Sequence, residues 1–416
     1  MRLAIIGGGG AGLTTAWLLE DTHEVTLYEK EDRLGGHADT LTVEVEGESV
    51  ALDGGFEFFS EPMFPTFLRL LRVLDVPLSP FPMLVTQFHS RTGDLYMLPP
   101  LRGWRLYLAS LSPRKISDML RLRRILSDAD EIMNHRDTSV TAEQFFNDLG
   151  LSDAFKERFM VPFLQAGWGV TRDDIQSFII YDILRYSYLN RPTGITPKGW
   201  YEIDGGTKTY INAIASDLHR ATIKRRSEIT SIACSGDQYR ITAQDGANDV
   251  YDHVIFATNA HQAAQLLQQL PGTDTLCRQL NRIEYFETTI AIHSDTRLMP
   301  PQRKHWSTVN IRHDERFSQL SMWKPWKSTA PVFKSWVTHD DTLPAQLHTT
   351  VTYFHPKVNA AYFAAQSELQ AQQGQENIWL AGMYMHDIDC HESAVISGIK
   401  VARQLAPDSA RLRRLV

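Results

Sequence analysis

The N-terminal stretch RLAIIGGGGAGLTTAWLL, residues 2–19, decides the fold of this 416-residue chain. Five mostly apolar residues predict a short buried strand, and the residues after the glycines have the apolar spacing of a helix. The spacing Gly7-x-Gly9-x-x-Gly12 permits a tight turn, a close approach of pyrophosphate to the backbone, and close packing of helix on strand. The stretch therefore predicts a dinucleotide-binding strand, turn and helix, with phosphate at a helix start formed by Gly10, Ala11 and Gly12.

Glu29 comes directly after a second predicted strand, residues 23–28, and follows Gly7 by 22 residues. An acidic side chain there binds both hydroxyls of an adenosine ribose and disfavours the 2′-phosphate of NADP. Arg33 can neutralise pyrophosphate, and Gly35-Gly36 let the backbone pass close to a cofactor. This extension, which also contains Lys30 and His37, favours FAD over NAD.

The composition and net charge of the chain argue against several other classes of protein. A formal net charge of −7 argues against a nucleic-acid partner, because such affinity needs surplus Lys and Arg. The cysteines are widely spaced without a C-x-x-C pair, which argues against a disulfide framework or structural zinc. No segment has the roughly 18 uninterrupted apolar residues of a membrane span. We therefore expect a cytoplasmic protein with no metal.

The sequence beyond residue 77 predicts an inserted helical domain, with helices over 116–133 and 142–163. Basic residues interleave with Leu, Trp and Tyr in this insertion. They predict either a face that contacts anionic membrane and delivers a lipid substrate, or an ordinary solvated helix face. The residues are Arg102, Arg105, Arg114, Lys115, Arg121, Arg123 and Arg124.

The extended glycine motif resembles that of the flavoprotein superfamily of amine oxidases, protoporphyrinogen oxidases and phytoene desaturases. Two later stretches share this resemblance: a strand ending at Gly382, and a helix that begins near His391. The resemblance implies an α/β fold, with a Rossmann-type FAD-binding domain and an interwoven α+β substrate domain that includes the helical insertion. The implied FAD-binding segments are 1–76, 200–265 and 376–410, and the substrate segments are 77–199 and 266–375.

The sequence is most similar to a bacterial group of FAD-binding oxidoreductases that is associated with lipid modification. The shared features are Arg33-x-Gly-Gly-His37, Asn259-x-His261-Gln262-Ala263, the stretch from His293 to Pro300, and the His391-Glu392 pair. The chain departs from the group between Tyr384 and His391, where a glycine-rich stretch is replaced by a longer acidic one. The substrate is therefore expected to differ.

The resemblance implies which residues contact FAD. The last helix would direct its N-terminus at the flavin and stabilise negative charge on the reduced ring. Asp53-Gly54-Gly55-Phe56 is either a loop beside the flavin or a plain hairpin end. The implied cofactor residues are Gly7, Gly9, Gly10, Ala11, Gly12, Glu29, Lys30, Arg33, Gly35, Gly36, His37, Gly54, Gly55, Phe56, Ile229, Thr258, Asn259, Gly382, Met383, Glu392, Ser393 and Ala394.

A cluster of ionisable residues between Tyr384 and Ser393 contains the candidate catalytic groups. They could accept a proton or position a substrate amine or hydroxyl. Helix capping is the alternative role, and metal binding is disfavoured because the spacing lacks an i, i+4 helical pair. Cys390 could carry a covalent flavin link or be a buried inert thiol. The candidates are His386, Asp389, His391 and Glu392.

Three functions agree with these patterns. The first is an FAD-dependent oxidoreductase that transfers a hydride from a small lipophilic substrate, an amine or a lipid-like molecule, to flavin N5. No second Gly-x-Gly-x-x-Gly is present to hold NAD(P)H, so oxygen or another acceptor would reoxidise the flavin. The second is a flavin-dependent isomerase of unsaturated lipids or polyenes, and the third is a flavin-carrying partner subunit. The sequence does not indicate the oligomeric state.

Overall fold

The N-terminal unit lies at the centre of a parallel sheet in the computed structural model, which describes residues 1–97, 108, 112–191, 199–314 and 316–415. The strand Arg2–Ile6 leads into the helix Gly10–Leu19, as the glycine spacing predicts. All strand pairs of this sheet are parallel, which is typical of a Rossmann-type domain. The five strands are, in spatial order, Thr222–Lys224, Glu24–Tyr28, Arg2–Ile6, His253–Phe256 and Ile378–Leu380.

Two glycines allow the helices of this domain to pack closely. A Cβ atom on Gly12 would lie 1.9 Å from the carbonyl oxygen of Gly7, so the first helix (Gly10–Leu19) can approach the end of its strand only without a side chain there. A Cβ on Gly398 would lie 2.7 Å from Oγ1 of Thr15. Gly398 therefore lets the last long helix (His391–Leu405) pack against the first helix.

A second, seven-stranded sheet forms the centre of the other half of the molecule. Its pairs are antiparallel except one, between residues 85–89 and 309–313. All seven strands come from the segments 77–199 and 266–375, and all five strands of the parallel sheet come from the other segments, although the domain boundaries stay a prediction. The strands are, in spatial order, Leu347–Pro356, Tyr285–His293, Phe333–Trp336, Ser318–Trp323, Val309–His313, Val85–His89 and Leu95–Met97.

The described residues also form three smaller sheets. One is the hairpin Thr40–Val45 and Glu48–Asp53, which is the strand pair expected before Gly54. The others are a three-stranded meander and a short three-stranded sheet. The short sheet joins the segment after Phe56 to the segment before the helix Lys208–Ser216. Their strands are Ile229–Ser235, Gln238–Ala243 and Asn248–Tyr251, and Phe59–Ser60, Trp200–Ile203 and Leu78–Phe81.

The insertion is helical, but the prediction of two long helices was wrong. The first predicted helix divides at Ala129, and the second divides at Gly150, which has a φ of +61°. A π-helical turn, Lys156–Met160, then precedes Pro162, which cannot donate a helical hydrogen bond. The helices among the described residues of the insertion are Pro113–Asp128, Asp130–His135, Ala142–Asp148, Asp153–Phe155, Val161–Trp168, Arg172–Ser177 and Ile180–Leu189.

The remaining helices flank the two large sheets. The α-helices are Pro65–Val73, Lys208–Ser216, Ala260–Leu267, Asp274–Leu280, Ala360–Ala371, His391–Leu405 and Ala410–Leu415, and the 3₁₀ turns are Thr296–Leu298, Arg303–His305, Gln375–Asn377 and Met383–Met385.

The basic stretch of the insertion is only partly described, because Arg102 and Arg105 lie outside the described residues. Arg121 and Arg124 form ion pairs with Asp118 and Asp128 on their own helix. That helix also exposes Ile116 and Leu120, a spacing of one helical turn. Contact with a membrane surface stays a prediction. Within the described part of the chain, no helix has the length and apolar character needed to cross a membrane.

Replacing Gly12 with Ala should destabilise the protein by roughly 3 kcal/mol or more, because the new Cβ would collide with backbone and cannot be relieved by a side-chain rotation. Urea unfolding followed by tryptophan fluorescence measures the change. Gly167→Ala is the matched control, because a Cβ at this helical position meets nothing within 4 Å. The control should be neutral or stabilising by up to about 1 kcal/mol. Equal stability of the two variants would contradict the close-packing role of Gly12.

Candidate functional site

The glycine turn and the loop 35–37 form a cradle lined by backbone. Gly9 pairs with Gly35 in an isolated parallel bridge, and a Cβ on Gly9 would meet no described atom closer than 3.9 Å. The open space beside Gly9 lies at the N-terminus of the first helix. Leu13 donates the first intrahelical hydrogen bond, to the Gly9 carbonyl at 2.9 Å. The N–H groups of Gly10, Ala11 and Gly12 therefore have no acceptor within the helix.

Glu29 lies at the end of its strand, beside this cradle. One carboxylate oxygen accepts a hydrogen bond from the Gly8 N–H at 2.8 Å, and the other accepts from the Glu31 N–H at 2.9 Å. The side chain is therefore held in place by backbone, next to the helix N-terminus. Ser227 N–H donates to the Glu29 carbonyl at 2.9 Å, which brings the start of the strand containing Ile229 to the same side. This is the arrangement expected for an adenosine site.

The residues after Glu29 shape the loop more than they approach the cradle. Arg33 donates to the Gly36 carbonyl at 2.9 Å and pairs with Asp39 at 3.1 Å, while Lys30 is exposed. The loop 53–56 then packs on this one: Phe56 N–H donates to the His37 carbonyl at 3.0 Å. The segment is therefore both a hairpin end and a wall of the glycine cradle.

The last long helix brings its N-terminus to the same place. A Cβ on Gly10 would lie 2.6 Å from Cε1 of His391, so the N-termini of the two helices meet. His391 stacks on Phe56 with ring centroids 4.5 Å apart, and its Nε2 lies 2.7 Å from the Tyr210 hydroxyl. Two partial positive charges from helix dipoles consequently converge beside the glycine cradle.

The strand-end loops that precede two helices complete this edge of the sheet. Asn259 caps the helix Ala260–Leu267 through a capping box with Gln262, and Thr258 lies against Gly7. The Gly382 N–H donates to Ser397 Oγ at 2.9 Å, and the Met383 carbonyl accepts from the Tyr362 hydroxyl at 3.3 Å. These residues surround the cradle as the resemblance implies, but their contacts with a cofactor stay a prediction.

Glu392 is occupied by a structural interaction. Its two carboxylate oxygens accept from the Thr66 and Phe67 N–H groups, each at 2.8 Å, and so cap the helix Pro65–Val73. Ser393 lies beside Cys390, with its Oγ 3.3 Å from the thiol sulfur, and Ala394 begins the intrahelical hydrogen bonding. A catalytic role for Glu392 stays a prediction, and the geometry gives its side chain a structural role at the start of the helix Pro65–Val73.

The other predicted catalytic residues separate into two groups. Asp389 lies 3.0 Å from Nδ1 of His355, whose ring is 5.2 Å from that of His37, so these three side chains run toward the glycine cradle. His386 lies instead among cations that include Lys400 and Arg136, and burial lowers its pKa to about 4. The structure thus brings Asp389 and His391 toward the cradle, while His386 faces the cationic side.

The weak acidity of the Cys390 thiol argues against covalent attachment of a flavin to this residue. Burial raises the pKa of its thiol to about 12, although hydrogen bonds from Ser393 act in the opposite direction. A protonated thiol is a weak nucleophile. Among the described residues, no group of three or more His, Cys, Asp or Glu side chains is arranged to hold a metal ion.

Residues 11–331 match the family of flavin-containing amine oxidoreductases. The chain belongs to this family. Its cofactor is FAD, and the residues present fit that group: the cradle at Gly9 would be filled by a Cβ, the helix N–H groups suit pyrophosphate, and Glu29 suits a ribose. The chain is an FAD oxidoreductase of this family.

Solved structures share this fold across almost the whole chain. A fatty acid isomerase from P. acnes that produces CLA has 16% identity and a TM-score of 0.69, with 97% of this chain and 98% of that chain covered. Cyclohexylamine oxidase from Brevibacterium oxydans IH-35A has 16% identity and a TM-score of 0.68, with 98% and 99% covered. A protein described as a protoporphyrinogen oxidase from Exiguobacterium sp. 255-15 has 16% identity and a TM-score of 0.62, with 97% and 98% covered. No curated protein sequence matches the chain significantly.

Sequence reasoning missed a buried ionic network next to the loop 53–56. Glu57 lies between Lys324 at 2.7 Å and Lys334 at 3.0 Å, and Lys324 also pairs with Glu202 at 2.6 Å. All four side chains are at most 4% exposed. Burial raises the pKa of Glu57, but the two lysines outweigh it and the net pKa is lowered. Lys334 also donates to the Gly55 carbonyl at 3.0 Å, which fixes the loop against the seven-stranded sheet.

The burial of His391 predicts an acid-sensitive fold. Burial, and secondarily His37, lower the pKa of His391 to about 3 from 6.5. The unfolded chain therefore takes up this proton at higher pH than the folded chain, and stability should fall as pH decreases below about 6.5. One such group contributes up to about 2 kcal/mol between pH 6.5 and 5.

Urea unfolding of the wild type and of His391→Phe at pH 7.5 and 5.0, at matched flavin content, measures this contribution. We expect a smaller loss of stability on acidification in the variant. The control is His219→Gln, whose imidazole is 72% exposed, and which should behave as the wild type. An unchanged pH dependence in His391→Phe would contradict the assignment.

Proposed function

We propose that the protein is an FAD-dependent oxidoreductase that removes a hydride from a hydrophobic organic substrate, either an amine or a lipid-like molecule. The observation that carries the proposal is the meeting of two helix N-termini beside the Gly9 cradle. Bound FAD supplies the hydride acceptor, which oxygen or another acceptor would restore. The chain itself supplies binding, orientation and a desolvated setting.

The side chains near the loop 53–57 support an apolar substrate. Phe58 lies between aromatic neighbours, with ring centroids 6.1 Å from Phe81, 5.8 Å from Trp200 and 6.4 Å from Tyr186. Phe58, Tyr186 and Trp200 are each only partly buried. An aromatic wall of this kind excludes water and favours burial of a hydrocarbon surface.

Two further functions remain as alternatives. A flavin-dependent isomerase would return the hydride to the same substrate, and the structural similarity to a fatty acid isomerase favours this reaction as the second candidate. A flavin-carrying partner subunit would bind FAD without being reduced by a substrate. The three functions differ in the net consumption of an electron acceptor.

Replacing Gly9 with Ala should leave the fold intact and weaken FAD binding at least about tenfold, because the methyl group enters the space for pyrophosphate. The Gly9 backbone is extended, with a φ of −77°, so Ala adds no strain. The flavin-to-protein absorbance ratio and the thermal unfolding of the flavin-free proteins measure the two effects. A Gly9→Ala variant with full flavin occupancy would remove the cradle from the cofactor site.

Anaerobic mixing of the flavin-loaded protein with cyclohexylamine or methyl linoleate tests the reaction class. We expect one of the two to bleach the oxidised flavin absorption, because a bound hydride donor reduces the flavin. A double-bond shift in methyl linoleate without consumption of an acceptor would establish the isomerase instead. Flavin that no substrate reduces, in a protein that purifies with a second enzyme, would support the partner subunit. Flavin release on denaturation would exclude a covalent link.

A further inference from the structure

Two residues of the helix Ile180–Leu189 carry buried oxygen atoms without a hydrogen-bond partner. Oδ2 of Asp182 and the hydroxyl of Tyr186 make no hydrogen bond with any described residue. Asp182 is only 3% exposed. Because the two residues are four positions apart, their side chains lie on the same face of the helix. A buried polar atom without a partner costs about 1–3 kcal/mol, so the pair requires an explanation.

Asp182 and Tyr186 lie near two loops beside the glycine cradle, residues 53–57 and 382–390. The electrostatic neighbours of Asp182 include Asp389, and the neighbours of Tyr186 are Glu57 and Cys390. Tyr362, whose hydroxyl contacts the Met383 carbonyl, is in turn affected by Asp182. The helix therefore presents this pair between the loop 53–57 and the loop 382–390, next to the aromatic wall of the proposed substrate site.

A structural role does not account for Asp182. It lies in the first turn of its helix, where an acidic side chain commonly caps backbone N–H groups. Within the described residues, however, Asp182 accepts no hydrogen bond from a backbone N–H, and the N-cap residue is Ile179, which has no side-chain acceptor. The indole of Trp168 hydrogen-bonds to the Asp182 carboxyl group and acts to lower its pKa. This contact still leaves Oδ2 without a partner.

The charge distribution decides which form of Asp182 a ligand would meet. Its carboxylate neighbours already have cationic partners: Asp387 pairs with Arg136 at 3.0 Å and Arg185 at 3.1 Å, and Asp389 lies beside His355. Asp182 has no ion pair with any residue of the described chain. Burial, and then the charge of Asp389, raise its pKa well above the usual value. This shift favours the protonated carboxyl group, which can donate a hydrogen bond.

We propose that Asp182 and Tyr186 form the polar end of the substrate site and donate hydrogen bonds to an uncharged oxygen, the carbonyl or hydroxyl of a lipid-like ketone, aldehyde, ester or alcohol. The inference rests on the proposed function and deepens it. A carboxylate head group would be repelled by Asp389, whose charge already acts on Asp182. An ammonium head group would require the ionised form of Asp182, which burial disfavours.

Three ten-carbon probes with different head groups test this selectivity: decan-2-one, decylamine and decanoate. Isothermal titration calorimetry of the flavin-loaded protein at pH 7.5, with the shift of the flavin absorption spectrum as a second readout, gives their affinities. We expect decan-2-one to bind most tightly. Tyr186→Phe and Asp182→Ala should each weaken its binding about tenfold through the loss of one donor. Asp182→Asn keeps a donor and should stay within about threefold of the wild type.

The matched control is Tyr188→Phe on the same helix. Its hydroxyl already donates to Asp130 at 2.6 Å, so its loss should leave probe binding unchanged. Tighter binding of decylamine or decanoate, no binding of decan-2-one, or wild-type affinity in Tyr186→Phe would each overturn the inference. Should Asp182→Ala fail to fold, Tyr186→Phe and Asp182→Asn decide. A wild-type protein that cannot be loaded with FAD would instead contradict the proposed function.

Discussion

The contact between Gly12 and the carbonyl of Gly7 is the constraint on which the rest of the structure depends. A side-chain atom at residue 12 would lie 1.9 Å from that oxygen, so the first helix begins directly at the end of the central strand. Its free N–H groups are consequently held at the edge of the sheet, where phosphate binds. Gly398 repeats the device one helix away and sets the N-terminus of the last long helix beside the first.

Buried charges couple this parallel-sheet half to the other half. Glu57 follows the loop that packs on the glycine cradle, while Lys324 and Lys334 belong to or adjoin strands of the seven-stranded sheet. Breaking a buried pair leaves an uncompensated charge, which costs about 3–5 kcal/mol. The network therefore holds the loop 53–57 in one position relative to the substrate side, where a small displacement would change the site.

The family fold leaves the reaction open, because related structures with 16% identity include an isomerase and an oxidase. Chemical differences within one fold come from the side chains around the cofactor. We propose that in this chain they include the aromatic residues around Phe58 and the pair Asp182 and Tyr186, which belongs to the helical insertion.

The sequence by itself determined the cofactor and the nucleus of the fold, because the residues from Arg2 to Gly36 form one contiguous segment of strand, turn, helix, strand and loop. Local glycine spacing and one acidic residue were enough there. The predicted insertion helices failed at Ala129 and Gly150, where backbone geometry and packing override an apolar pattern. Only the tertiary structure decided that Glu392 caps a distant helix, that His355 meets Asp389, and that Asp182 is buried near Asp389. Those contacts join residues far apart in the chain, and no local pattern encodes them.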